Sequence, residues 1–170
     1  MKIHLSAAIG LFFLSATMSH CSDEQNARDV FVRLDAAIMK RDVEAVRSEF
    51  EDSAIILMTT PQSGPDATRA LSIAEFLQEL RSRWSLCLSQ KNIRTLIAVK
   101  EIKGQEQFLV IASDDTRTRF EGRSEWIRST DCFLLRRQGG VFKISAVTAE
   151  CVFFFPNVPE DQNRNELKQK

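Results

Sequence analysis

Residues 131–146 read Asp131-Cys132-Phe133-Leu134-Leu135-Arg136-Arg137-Gln138-Gly139-Gly140-Val141-Phe142-Lys143-Ile144-Ser145-Ala146. A Gly-Gly pair between two alternating apolar runs signals a two-residue hairpin turn, because both turn positions need positive φ. With Gly139-Gly140 as the turn, Gln138 faces Val141 and Leu135 faces Ile144. Continued without interruption, Phe133 faces Ala146, Asp131 faces Thr148 and Ser129 faces Glu150. Upstream, Glu121-Gly122 makes a second turn, which sets Phe108 against Leu135, Val110 against Phe133, Ala112 against Asp131 and Asp114 against Ser129. Directly opposed residues share a sheet face. The two turns agree with each other. One face collects Phe108, Val110, Ala112, Phe133, Leu135, Phe142, Ile144 and Ala146, an apolar set that a one-residue slip would scatter.

Working outward from this hairpin, four strands are predicted at 93–103, 107–118, 123–137 and 141–155, with a further turn at Gly104. Before them the period changes. Ala27, Phe31, Leu34 and Ile38 recur at helical spacing, and Lys40-Arg41 closes that helix with cations at its C-terminal end. Asp42 caps a second short helix that places Val43, Val46 and Phe50 on one face. Ala54-Ile55-Ile56-Leu57-Met58 reads as a buried strand, ended by Pro61, Gly64 and Pro65. Ser72-Ile73-Ala74-Glu75 is a capping box opening a third helix, with Ile73, Phe76, Leu77, Leu80, Trp84 and Cys87 along one stripe. The expected fold class is α+β: three N-terminal helices packed on a strongly curved antiparallel sheet, a cone-shaped half-barrel.

The chain has 170 residues, is 44% hydrophobic, and balances 23 Lys and Arg against 23 Asp and Glu. That suits one globular domain, and the zero net charge removes the electrostatic footprint of a nucleic-acid binder. Tyr is absent, and both His, His4 and His20, fall within the first 20 residues. Once that segment is removed, triads that use His and zinc sites ligated by His are excluded. No cofactor motif and no metal site is read.

The first residues read as an address. Lys2 precedes an uncharged, mostly apolar run, Leu5 to Met18, too short to span a bilayer but fitting the h-region of an export signal. Cys21-Ser22-Asp23-Glu24 follows. This arrangement resembles a bacterial lipoprotein signal, which implies that Cys21 is lipidated and becomes the N-terminus. Met18 and His20 depart from that family's preference, and cleavage after Ser19 is the alternative. The organisation read from the sequence is a signal peptide at 1–20, a tether at 21–26, a folded domain at 27–155 and a flexible tail at 156–170. Cys87, Cys132 and Cys151 then remain, either as one disulfide plus a thiol or as three buried thiols.

Two stretches carry a family resemblance. Asp35-Ala36-Ala37-Ile38-Met39-Lys40-Arg41-Asp42-Val43-Glu44-Ala45-Val46 resembles the opening of the nuclear transport factor 2-like (SnoaL-like, cystatin-like cone) superfamily. Arg136-Arg137-Gln138-Gly139-Gly140-Val141-Phe142-Lys143-Ile144 resembles its closing hairpin. The resemblance covers residues 27–155 and implies a sheet wrapped around a pocket, in a group that includes isomerases, dehydratases and non-catalytic binding proteins. The group's steroid isomerases carry an Asp before a Pro at the end of the first strand, where this chain has Thr60 before Pro61. Their Tyr is missing, as are the His and Tyr of the dehydratases. Thr148 stands where many closing strands carry His.

Beyond its apolar stretch, the same sheet face turns polar at Asp114, Ser129, Asp131, Thr148 and Glu150. Crowded carboxylates raise one another's pKa, which makes Asp114, Asp131 and Glu150 candidates for a general acid or base, or else for binding a cation or a basic ligand. Solvated strand ends, paired with Arg33, Arg81 or Arg83, are the simpler expectation. Thr60, Trp84, Asp114, Ser129, Asp131, Thr148 and Glu150 form the expected ligand pocket. The opposite face, with Leu109, Ile111, Cys132, Leu134, Val147 and Ala149, is expected to seat a second copy. The function read from the sequence is an exported, lipid-anchored, non-enzymatic binding or accessory domain for a small apolar ligand. The alternative is a small-molecule isomerase or lyase with a pocket carboxylate as base.

Overall fold

The computed structural model describes residues 7–60 and 67–155, with side chains from Ser22 onward. The chain opens with α1 (Ala7–Lys40) and α2 (Val43–Ser48), followed by β1 (Phe50–Thr59), β2 (Thr68–Ser72) and α3 (Ile73–Ser85). It closes with β3 (Cys87–Ile102), β4 (Gln107–Phe120), β5 (Arg123–Gln138) and β6 (Val141–Phe154). The six strands form one curved sheet in the order β2-β1-β6-β5-β4-β3. All neighbours are antiparallel except β1 and β6, which run parallel. The sheet is therefore mixed, and only two helices precede it, since α3 follows the first two strands.

Local signals explain most of the elements. The Asp42 carboxylate accepts from the Ala45 amide at 2.9 Å and starts α2. Ser72 and Glu75 cap α3 reciprocally, and Ser72 N donates to Glu75 Oε2 at 2.8 Å. Gly139 and Gly140 have φ of 59° and 86°, the left-handed pair that the tight β5–β6 turn requires. The β4–β5 pairing follows the expected register along its whole length, including Phe108 with Leu135 and Asp114 with Ser129.

The β5–β6 pairing follows the expectation only as far as Leu135 with Ile144. Next, Leu134 pairs with Ala146, so Ser145 is an extra residue, a β-bulge whose hydroxyl donates to the Leu134 carbonyl at 3.1 Å. Every later pair shifts by one: Phe133 faces Val147, Asp131 faces Ala149 and Ser129 faces Cys151. Val147, Ala149 and Cys151 are thereby buried, while Thr148 and Glu150 are exposed. The expected placement of Val147 and Ala149 on the outer face is corrected by the same shift.

Other differences are smaller. Residues 21–26, expected as a tether, lie within α1, and Asp23 forms an ion pair with Arg137. Phe50 begins β1 and does not extend the α2 face, and Cys87 begins β3 and does not end the α3 stripe. The edge strand β2 carries little signal, since only Leu71 of its five residues is buried. The apolar run's side chains through Cys21, the loop at 61–66 and the tail at 156–170 lie outside the described residues.

The core sits between α1 and the concave sheet face. Val30, Phe31 and Leu34 of α1 meet Val110, Phe133 and Leu135, all at most 3% exposed. Phe31 and Phe133 pack edge to face with centroids 4.9 Å apart, as do Phe108 and Phe142 at 5.2 Å.

Candidate active site

A cavity of about 400 Å³ lies inside the curve of the sheet. Its walls are mainly apolar, from Leu34 and Ile38 of α1, Phe76, Leu80 and Trp84 of α3, and Val147, Ala149 and Phe153 of β6. Alternation on a strand sends every second side chain to one face. That rule brings Gln90, Asn92 and Arg94 of β3 to this cavity beside Asp114 and Thr116 of β4 and Ser129 and Asp131 of β5. One polar pole thus forms deep in a mainly apolar chamber that Arg69, Glu79 and Arg83 also line.

Arg94 is the centre of that pole. Its side chain is only 6% exposed. Its Nε donates to Asp114 Oδ1 at 2.9 Å, and its Nη2 donates to Asp114 Oδ2 at 2.8 Å, the fork geometry of a strong ion pair. Its Nη1 lies 2.8 Å from Asp35 Oδ1 on α1, an ion pair by distance whose angles fall short of a hydrogen bond. The guanidinium also lies over the rings of Phe31 and Phe133, at 5.6 Å and 5.4 Å. Burial alone would lower its pKa, but the Asp114 hydrogen bond and the charges of Asp114, Asp35 and Asp131 hold it above the ordinary value.

Asp131 has a different environment. It is 6% exposed, and its Oδ1 has no hydrogen-bond partner. Burial, then the Asp114 charge and a hydrogen bond with Asp114, push its carboxyl up to about 7, against the opposing pull of Ser129 and Arg94. The two carboxyls share a site in which both cannot comfortably ionise. Asp35 is also raised, by burial first, with Arg94 opposing and Asp114 adding. The Cys151 thiol is pushed up to about 11 by burial and by the charges of Asp131 and Asp114, so it stays protonated and is a poor nucleophile.

Of the residues expected in the pocket, Thr60, Trp84, Asp114, Ser129 and Asp131 line the cavity, and Thr148 and Glu150 do not. The Ser145 bulge turns both to the other face. Asp114 and Asp131 are not solvated strand ends: both are buried, at 8% and 6% exposure. Their cation is none of the three expected, since Arg33 pairs with Glu49, Arg81 with Glu44 and Arg83 with Glu125. Arg94 and Asn92 line the cavity without a sequence signal that marks them, and Asp35, outside the lining, pairs with Arg94. Asn92 Oδ1 accepts from the Thr116 hydroxyl, and its buried Nδ2 has no partner. Extending the register arithmetic across the Gly104 turn brings Arg94 close to Asp114, and a bulge at Ile97 makes the match. Among the described residues, no group of three His, Cys, Asp or Glu is arranged to hold a metal ion. Cys87, Cys132 and Cys151 are free thiols, with Cys132 only half-buried.

The raised carboxyl has a consequence for stability. Between the ordinary Asp range and about pH 7, the folded state holds a proton that the unfolded chain has released. Stability therefore falls as pH rises through that window. Asp131→Asn removes the penalty and is expected to stabilise the protein by ~1–3 kcal/mol at about pH 8, with the gain vanishing toward pH ~4. Urea unfolding at the two pH values measures it.

Solved structures share this fold. The chain superposes on a hexachlorocyclohexane dehydrochlorinase, LinA-type3, from Novosphingobium barchaimii, with a TM-score of 0.65 and 15% identity, covering 85% of this chain and 95% of that one. A nuclear transport factor 2-like protein from Cytophaga hutchinsonii matches with a TM-score of 0.59 and 13% identity, over 73% of this chain and 93% of that one. A ketosteroid isomerase-like protein from Erwinia carotovora atroseptica matches with a TM-score of 0.57 and 12% identity, over 73% and 92%. No protein-family model and no curated protein matches the sequence. The fold expected from the two short motifs is thus the fold of these proteins.

Proposed function

We propose that the cavity is the active site of a small-molecule lyase or isomerase in which Asp131 is the general base. The observation that supports this most is a buried carboxyl, with one oxygen unpartnered, lining a roomy apolar cavity and titrating near neutrality. A base poised near the working pH is both available and strong enough to take a proton from carbon. The ionised Asp131 removes the proton from a C–H bond, whose electron pair forms a new double bond. Either a leaving group departs from the neighbouring carbon, or the proton returns at another carbon. Arg94, locked by Asp114 and Asp35, fixes the geometry of the polar pole beside the base. Enzymes are among the proteins of this fold, as the dehydrochlorinase illustrates.

The test is proton exchange. The protein is incubated in D₂O with a panel of small aryl ketones, with and without an amino group, and loss of the C–H signal is followed by NMR. The wild type is expected to catalyse exchange of at least one probe, with a rate that climbs to a plateau above about pH 7. Asp131→Asn is expected to slow exchange at least ~100-fold. No exchange across the panel, or equal rates in the variant, refutes the reading. A binding-only pocket would then stand, favoured by the absence of Tyr throughout and of His after His20.

The reading extends to place and assembly. The chain is proposed to be exported and held at a membrane by a lipid on Cys21, and the mass of the membrane-bound chain reads this out. The outer face, where Leu109, Ile111, Cys132 and Leu134 are half-buried, is proposed to seat a second copy.

A further inference from the structure

We infer that the cavity takes an apolar molecule carrying a positively charged amino group, whose ammonium pairs with the Asp131 carboxylate. The inference deepens the reading above, on whose cavity it rests, by naming a ligand class.

Charge balance at the polar pole carries the argument. Three carboxyls, those of Asp35 on α1, Asp114 on β4 and Asp131 on β5, surround a single guanidinium, Arg94 on β3. The other groups beside Asp131 add no cation: Ser129 brings a hydroxyl and Cys151 on β6 a protonated thiol. The Asp35 side chain is 35% exposed and reaches solvent, so the buried pole, Asp114 and Asp131 against Arg94, is short of positive charge by up to one unit. Buried charge that is not compensated is expensive, and two remedies exist, a proton or a cation. Asp131 Oδ1 is the acceptor left without a partner, in a residue 94% buried by its 6% exposure.

The lining also argues against the opposite class. Three arginines line the cavity, and each is already paired: Arg69 with Glu79, Arg83 with Glu125, and Arg94 with Asp114 and Asp35. A carboxylate or phosphate ligand would meet no uncommitted guanidinium and would lie beside Asp131. Phe76, Trp84 and Phe153 line the walls and suit an apolar or aryl body, and aromatic faces also attract an ammonium. The cavity, at about 400 Å³, matches a molecule of one or two rings.

The proton balance gives a signature. Near neutrality part of the Asp131 population is protonated, and an arriving ammonium favours the ionised form. Binding then expels a proton from Asp131 to the solvent.

Titration calorimetry on the full chain tests this with three probes of similar shape: phenethylamine, phenethyl alcohol and hydrocinnamate. The amine is expected to bind at least about tenfold more tightly than the alcohol, with the carboxylate weakest. At about pH 7 the heat of amine binding should vary with the buffer's ionisation enthalpy in the sense of proton release. The preference should disappear in Asp131→Asn. If that variant fails to fold, the wild type still decides, because the preference must weaken from about pH 8 to about pH 5 as Asp131 protonates. An alcohol that binds as well as the amine, a carboxylate that binds best, a preference that survives Asp131→Asn or does not change with pH, or no amine binding at about 1 mM each overturns the inference. Amine preference without proton exchange on the ketone panel leaves it standing and removes the enzymatic reading. Exchange without amine preference does the reverse.

Discussion

Arg94→Met is expected to destabilise the protein by ~3–5 kcal/mol at neutral pH, because it leaves buried carboxylates without their cation. The guanidinium is 6% exposed and binds Asp114 through two nitrogens while pairing with Asp35 through the third. Methionine keeps much of the volume and the contact with Phe31 and Phe133, so the loss isolates the charge. Without the cation, Asp35 loses the charge that opposes its upward shift, and the pole takes up protons more readily. The variant then binds protons in its folded state at pH values where the unfolded chain does not. Its stability must therefore recover as the pH falls. Urea unfolding at about pH 7.5 and about pH 4.5 should show the deficit shrinking by at least half. A deficit independent of pH would mean that Arg94 acts through packing alone.

Phe133→Ala is expected to cost ~3–5 kcal/mol by leaving a cavity beneath α1. Phe133 is 3% exposed, packs edge to face on Phe31, and forms part of the wall under the Arg94 guanidinium. Its loss is a large share of a typical domain stability of ~5–15 kcal/mol. It should also loosen the polar pole, since the ring helps hold Arg94 against Asp114. Thermal unfolding of the variant at about pH 7 measures the first effect. A loss under about 1 kcal/mol would contradict the placement of Phe133 at the contact between helix and sheet.

These two residues show what was and was not legible in the sequence. Phe133 could be read, because two glycine turns and a period of two fixed its face, and the β4–β5 register followed from Gly122 without a slip. Asp114 and Asp131 could be brought together by the same arithmetic. Arg94 could not be singled out, since the partner of Asp114 lies across a longer turn with a bulge at Ile97 in between. Thr148 and Glu150 were placed on the wrong face because a bulge adds one residue without any Gly or Pro to announce it, and Ser145 is an ordinary strand residue. Burial of the acids escapes the sequence for a related reason. Asp114 and Asp131 look too costly to bury until an arginine from a neighbouring strand pairs with Asp114 and burial holds a proton on Asp131, while Glu150 is turned outward by the bulge. The edge strand β2 escaped notice because its mostly exposed side chains leave no apolar periodicity.

The proposed chemistry and the proposed ligand preference both require one carboxyl, that of Asp131, to ionise near neutrality. Carbon-detected NMR of the aspartate carboxyls, titrated across about pH 3 to about pH 9 in the wild type and in Asp131→Asn, tests it most directly. The structure predicts one carboxyl signal, missing from the variant, with its midpoint near about 7. A midpoint for Asp131 in the ordinary aspartate range, at about 4, would contradict the account.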